Sequence, residues 1–305
     1  MDASDVNKTN SAAGMKPVTL ISVAIILILI WGSAFTLIGV AVKTLSPEWL
    51  VSYRMIIGTS FVWAYSRLAG HRLPPLRDQR WIWYAVIGLT GASLPFLLIA
   101  IGQKTVDSGL SAILVGTMPL ITIILAHFFT SEKLNLLKLI GFLMGFLGIV
   151  ILFLPKELSL SLVSDWKAQL IILTAAICYA VTTIIASRSP ETPSPVAAAM
   201  MLMIGALIST SWASATAGPP PMPDKAAFLA AIGLGLGSTG AATVLYLWVI
   251  DVSGPSVMAR INYFIPVCSV ILGAIFLKEV LDWRIFVSLS VIFLGVIVSK
   301  MGKAN

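Results

Sequence analysis

The chain is poor in the residues that catalysis and metal binding draw on. In 305 residues it has two cysteines, Cys178 and Cys268, and two histidines. Both cysteines lie deep in apolar runs, where they read as small packing residues rather than a disulfide or a metal pair. HExxH, paired carboxylates and Cys/His clusters are all missing, which leaves a membrane-embedded enzyme without an acid–base or metal site. A nucleotide-binding motif is missing too. The glycines of GFLMGFLG from Gly141 and GLGLGSTGAA from Gly233 follow no strand and lead to no lysine, so close helix packing explains them better than phosphate binding. No cofactor, no metal and no energy source of its own is expected.

Charge is equally scarce. Only 11% of the residues are charged, against about 25% in soluble domains. No Asp or Glu stands at the centre of an apolar run, because Asp107, Glu132, Asp251 and Glu279 all fall near run ends. An exporter exchanging protons for cationic drugs is expected to keep a membrane-embedded carboxylate, so that route is disfavoured. The net charge of +7 comes from dispersed basic residues with no basic stripe and no interleaved aromatics. Nucleic acid is therefore not an expected partner, and loops obeying the positive-inside rule account for the excess.

What is abundant is apolar surface: 58% hydrophobic residues and a mean hydropathy of +0.97. The chain reads as an all-α polytopic membrane protein whose main partner is the lipid bilayer. Residues 1–17 form a polar tail, expected to be disordered and cytoplasmic. The run that follows, from Pro17 to about Val42, is longer than the apolar core of about 7–15 residues in a cleaved signal peptide, so it is expected to stay as the first span. Ten runs of spanning length can be marked, at 18–42, 48–68, 80–102, 108–130, 134–154, 167–187, 195–216, 226–249, 255–278 and 284–301. Basic residues concentrate in the GHRLPPLRDQR loop from Gly70, which puts both termini in the cytoplasm.

The chain also repeats itself. Pro119 corresponds to Pro266, Glu132 to Glu279, Leu134 to Leu281 and Gly148 to Gly295, each at an offset of 147 (266 − 119). WGSAF from Trp31 echoes YAVTT from Tyr179, and Pro47 echoes Pro195, at 148 (179 − 31). Two halves of five spans, 18–155 and 167–302 around a linker at 156–166, contain an odd number of crossings each. They must lie upside down relative to one another, as two inverted five-helix repeats giving ten transmembrane helices.

With ILIWGSAF (Ile28 to Phe35), PEWLVSYRMIIG (Pro47 to Gly58) and the duplicated Pro…Glu unit, the sequence resembles the EamA-type members of the drug/metabolite transporter superfamily across residues 18–302. The resemblance implies a ten-helix inner-membrane carrier with both termini inside. It also implies a small-molecule substrate, since relatives export amino acids, their metabolites or small organic compounds. The oligomeric state is left open, a monomer included. The rival readings are a membrane-embedded enzyme and a cation or multidrug exporter using an aromatic cavity.

Two arginines at membrane depth carry the most information. Each either snorkels to the nearer interface or faces protein and water. Arg54, which matches the arginine of the family's second span, is expected to brace a neighbouring helix. Arg260, next to Asn262 and Tyr263 and just before Pro266, is expected to face the translocation path and hold a carboxylate. The expected cavity consists of Trp31, Ser33, Thr36, Ser93, Gln103, Met118, Tyr179, Tyr246 and Trp248 together with Arg260, Asn262 and Tyr263. Pro119, Pro266, Glu132 and Glu279 are expected to act in hinging or gating. His127 is expected to be packed or interfacial rather than a proton relay.

Overall fold

A computed structural model describes residues 17–106, 111, 114–130, 133–153, 166–265, 267–268 and 283–302. Glu132, Pro266, Glu279 and the polar tail 1–16 lie outside the described residues. Among the described residues the regular structure is all helical, with no strand. Lipid offers no hydrogen bonds, and only a helix satisfies every backbone group within one continuous segment.

The helices are α1 (Pro17–Ala41), α2 (Pro47–Leu68), α3 (Arg80–Gly102), α4 (Met118–Phe129), α5 (Leu136–Phe153), α6 (Trp166–Arg188), α7 (Ser194–Thr216), α8 (Lys225–Ser253), α9 (Pro255–Asn262) and α10 (Trp283–Met301). Their ends follow local chemistry. Ser46 caps α2 by accepting the Trp49 N–H at 3.4 Å, with Pro47 in the first turn, where its missing donor costs nothing. Asp224 caps α8 through the Ala227 N–H at 2.7 Å. Gly254 separates α8 from α9 at φ 78°, a left-handed conformation that glycine alone adopts without strain.

Helices α1, α3, α6, α7 and α8 are long and apolar enough to cross a membrane, while α4, α5 and α10 carry shorter apolar stretches. The outward-facing residues suit lipid: Ile82, Phe128 and Leu207 are between 68% and 71% exposed. Helix α2, at 22 residues, is long enough but too polar to qualify on composition. It can be polar because its inner face meets protein. Ser52 hydrogen-bonds Thr210 of α7 at 2.8 Å, and Arg54 reaches α8. Trp49 and Tyr84, which end-of-span aromatics predict as interfacial anchors, are instead buried, whereas Trp83 and Trp166 are exposed.

Helices from the two halves meet as counterparts: α2 packs on α7, α4 on α9 and α5 on α10. The first and last of these pairs run antiparallel. Along α2, Ser52 meets Thr210, and Met55 meets Gly205. Along α5, Asn135 donates to the Gly302 carbonyl, Gly141 faces Gly295, and Gly148 faces Ser288. A side chain at Gly141 or Gly295 would strike the other helix's backbone, so these glycines set how closely α5 and α10 approach. Tyr263 wedges into the same region. It is 1% exposed, its ring lies over Gly145, and its hydroxyl donates to the Phe142 carbonyl at 2.7 Å.

Two irregularities stand in corresponding helices. Helix α3 widens into a π turn at Leu89–Ser93, and α8 does so at Leu234–Ala241. Such turns free carbonyls and re-aim side chains, and they recur at functional sites.

Candidate functional site

The irregular segments border a chamber of about 140 Å³. Helix α1 supplies Trp31, Ala34, Phe35 and Ile38, a stripe at three- and four-residue spacing that is one face of a helix. Helix α3 supplies Gly91, Phe96 and Ile99, and the turn into α4 supplies Val115, Gly116 and Met118. Helix α6 supplies Tyr179 and Thr182, and α8 supplies Ser238, Thr243 and Tyr246. Arg54, Met201, Asn262 and Ile265 complete the wall.

Arg54 organises the polar part. Its Nε donates to Thr239 Oγ1 at 2.9 Å and its Nη2 to Ser238 Oγ at 3.2 Å, while the guanidinium lies 3.8 Å above the Phe96 ring. A guanidinium has five N–H donors, so these two bonds leave others for the chamber. The partners are neutral. The Arg80–Asp78 ion pair lies far along the chain from Arg54. The charge of Arg54 is therefore solvated by hydroxyls and a ring face rather than cancelled.

The π turn of α8 makes this arrangement possible. It brings Ser238 and Thr239 toward α2, and the Ser238 carbonyl accepts the Trp31 indole N–H at 3.1 Å. Trp31 stands edge-on to Tyr246, with centroids 5.9 Å apart, and the Tyr246 hydroxyl bonds Thr183 of α6 at 2.9 Å. Asn262 turns its amide to the Met118 sulfur at 3.5 Å, joining α9 to the start of α4. The sites of helix interruption thus supply wall residues as well as bends.

Of the residues expected from sequence, Trp31, Met118, Tyr179, Tyr246 and Asn262 are brought together in the wall. The others lie elsewhere. Ser33 bonds the Ile30 carbonyl of its own helix, and Thr36 is exposed on the opposite side of α1 from the stripe. Ser93 is buried and donates to the Gly205 carbonyl at 3.0 Å, fastening α3 to α7. Gln103 closes the end of α3, its amide buried without a hydrogen-bond partner among the described residues. Trp248 packs into the core outside the wall, and Tyr263 serves α5–α9 packing. Arg260 is half-buried on α9 and is not part of the wall, whereas Arg54, expected only to brace, both braces and lines it. Pro119 sits in the first turn of α4, just after a break in the helical run at Gly116–Thr117. His127 accepts the Leu134 N–H at 3.1 Å, a packed histidine at the end of α4.

The wall residues not anticipated are Ala34, Phe35 and Ile38 of α1, Gly91, Phe96 and Ile99 of α3, Val115, Gly116, Met201 and Ile265, and the hydroxyls Thr182, Ser238 and Thr243. For α1 the helical spacing from Trp31 was a sufficient signal. For α8 no spacing rule serves, because the π turn shifts the register inside GLGLGSTGAA.

Comparison with known proteins assigns the family. The chain is 29% identical over 287 residues to the uncharacterized inner membrane transporter YedA of Escherichia coli (strain K12), covering 91% of this chain and 89% of that protein. It is 23% identical over 270 residues to the uncharacterized transporter YoaV of Bacillus subtilis (strain 168), covering 88% and 92%. A crystal structure of a protein 20% identical superposes with a TM-score of 0.75 over 93% of this chain and 98% of its own, which shows the fold. The pattern of the EamA-like transporter family matches twice, at residues 18–154 and 166–301, and the chain belongs to that family.

Proposed function

We propose that the chain is a secondary carrier that exports small organic metabolites, amino acids and related compounds foremost, across the inner membrane by alternating access. In this reading ten crossings form two inverted repeats, 18–155 and 167–302, with both termini cytoplasmic. The two family matches and the printed name of the YedA relative support the repeat boundaries and the membrane.

The observation that carries the proposal is the composition of the wall. Six pairs of lining residues stand 147 positions apart: Arg54 and Met201 (201 − 54), Gly91 and Ser238, Phe96 and Thr243, Ile99 and Tyr246, Val115 and Asn262, Met118 and Ile265. Two more, Trp31 with Tyr179 and Ala34 with Thr182, stand 148 apart (182 − 34). The offset that relates the halves in sequence therefore also relates the two sides of the chamber.

The packing obeys the same rule. Gly58 lies against the Gly235 carbonyl as Gly205 lies near the Gly88 carbonyl, and both members shift by 147 (235 − 88, 205 − 58). The π turns and the breaks at Gly116 and Tyr263 (263 − 116) fall in corresponding places. A site at the junction of two repeats, beside broken helices, suits a carrier whose halves rock about it, with Pro119, Pro266 and the glycine-rich segments as hinges.

Counterflow with the purified full chain in proteoliposomes tests the reading, using labelled amino acids, organic acids and quaternary amines. Saturable exchange of an amino acid or organic acid supports it. Exchange of amines alone favours the multidrug reading, and no exchange of any class contradicts a carrier of small metabolites.

A further inference from the structure

The paired positions of the chamber agree in place but not in polarity. Where one member of a pair is polar, the polar member belongs almost always to the second half. Thr182 corresponds to Ala34, Ser238 to Gly91, Thr243 to Phe96, Tyr246 to Ile99, and Asn262 to Val115. A duplicated chamber has no intrinsic reason to be lopsided, so a difference repeated in five pairs marks a ligand with two unlike sides.

The exception strengthens the pattern. In the sixth pair, Arg54 with Met201, the polar member comes from the first half, yet its guanidinium reaches across to Ser238 and Thr239 at 3.2 and 2.9 Å. The guanidinium of the wall is thereby joined to the polar side. That side is continuous, because α8 packs on both α6 and α9, and Thr183 bonds Tyr246 between α6 and α8 at 2.9 Å. The first half contributes Phe35, Ile38 and Ile99, whose side chains offer no hydrogen bond to a ligand.

We infer that the chamber selects organic carboxylates with an apolar body, the carboxylate held by Arg54 beside the hydroxyls of the second half and the body held by the apolar wall of the first. This rests on the carrier reading above and names its substrate class. A buried cation whose neighbours are hydroxyls is poorly compensated, and a ligand carboxylate, which can take two guanidinium N–H bonds at once, supplies the missing charge. A cationic amine meets the same guanidinium as repulsion, and a neutral amide recovers hydrogen bonds without charge. The anion role that sequence gave to Arg260 passes to Arg54.

The test uses one series of equal shape: 3-phenylpropanoate, its amide 3-phenylpropanamide, and 3-phenylpropylamine. Binding is measured by calorimetry on the detergent-purified full chain, and counterflow is measured on the same compounds. The carboxylate is expected to bind at least about tenfold more tightly than the amide, with the amine weakest, the difference a charged hydrogen bond brings over a neutral one. In Arg54→Met, which installs the residue of the paired position, that preference is expected to disappear.

Equal binding of the three compounds, preference for the amine, no binding of any, or a carboxylate preference that survives Arg54→Met overturns the inference. The wild-type series decides by itself if Arg54→Met does not fold. Carboxylate-selective binding without counterflow supports this inference and removes the carrier reading, while counterflow without carboxylate preference does the reverse.

Discussion

Arg54 on α2 donates its Nε–H to the hydroxyl of Thr239 in the π turn of α8, at 2.9 Å, and so ties the second helix of one half to the irregular helix of the other. Thr239→Val keeps the shape that packs against Gly58 but removes the acceptor. Leaving a buried charged donor unsatisfied costs about 1–3 kcal/mol. Thermal unfolding in detergent is expected to show a destabilisation of that order, and an unchanged midpoint contradicts the bracing role of Arg54.

The approach of α5 to α10 gives a second prediction. Gly295→Val puts methyl groups where the Gly141 carbonyl and the Gly145 backbone nitrogen now lie. The helices must separate, at a cost of about 1–3 kcal/mol or more. Gly39, with no atom near its absent Cβ, is the control: Gly39→Ala is expected to be neutral or slightly stabilising in the same assay.

Tyr263 separates packing from binding. Its hydroxyl is spent on the Phe142 carbonyl, away from the chamber, so Tyr263→Phe is expected to lower stability by about 1 kcal/mol and leave the KM for transport unchanged. A raised KM at constant stability contradicts this placement and returns Tyr263 to the wall.

The loop before α3 carries a pH-dependent contact. Asp78 accepts hydrogen bonds from Arg80 Nε and Nη2 and from its backbone N–H, at 3.0, 2.7 and 2.9 Å. The Arg80 side chain, first, and its backbone N–H hold the carboxyl down at about 2. Because this value lies below that of the unfolded chain, the contact is fully present above the ordinary carboxylate range and is lost as pH falls through about 2. Wild type and Asp78→Asn are therefore expected to differ in thermal midpoint by the same small amount at pH 5 and pH 8, and to converge toward pH 2. A difference that fades between pH 8 and pH 5 contradicts this.

How much of this was legible in the sequence depends on the kind of helix. The spans α3, α6, α7 and α8 begin within a residue of where apolar runs and breakers put them, because lipid tolerates little ambiguity about where polar residues stop. Which face of each span looks inward was harder, since a helix apolar all round has no stripe to read. Ser33 and Thr36 offer hydroxyls on the first span. At about 100° per residue they lie well away from Trp31, whereas Ala34, Phe35 and Ile38 share its face. Ser238 and Thr239 were hidden because a π turn inside a glycine-rich stretch breaks that rule. The role of Arg54 in the wall depends on both facts together, and so sequence reasoning gave it the bracing role alone.

The central claim is that one substrate site lies between the halves, and Val115 and Asn262 test it as a pair, one from each half and both half-buried in the wall. The measurement is thiol labelling of Val115→Cys and Asn262→Cys, separately, after Cys178→Ser and Cys268→Ser, with and without the best counterflow substrate. The account predicts that the substrate slows labelling at both positions with the same concentration dependence. Protection at one position only, or at neither while counterflow persists, contradicts a shared site at the junction.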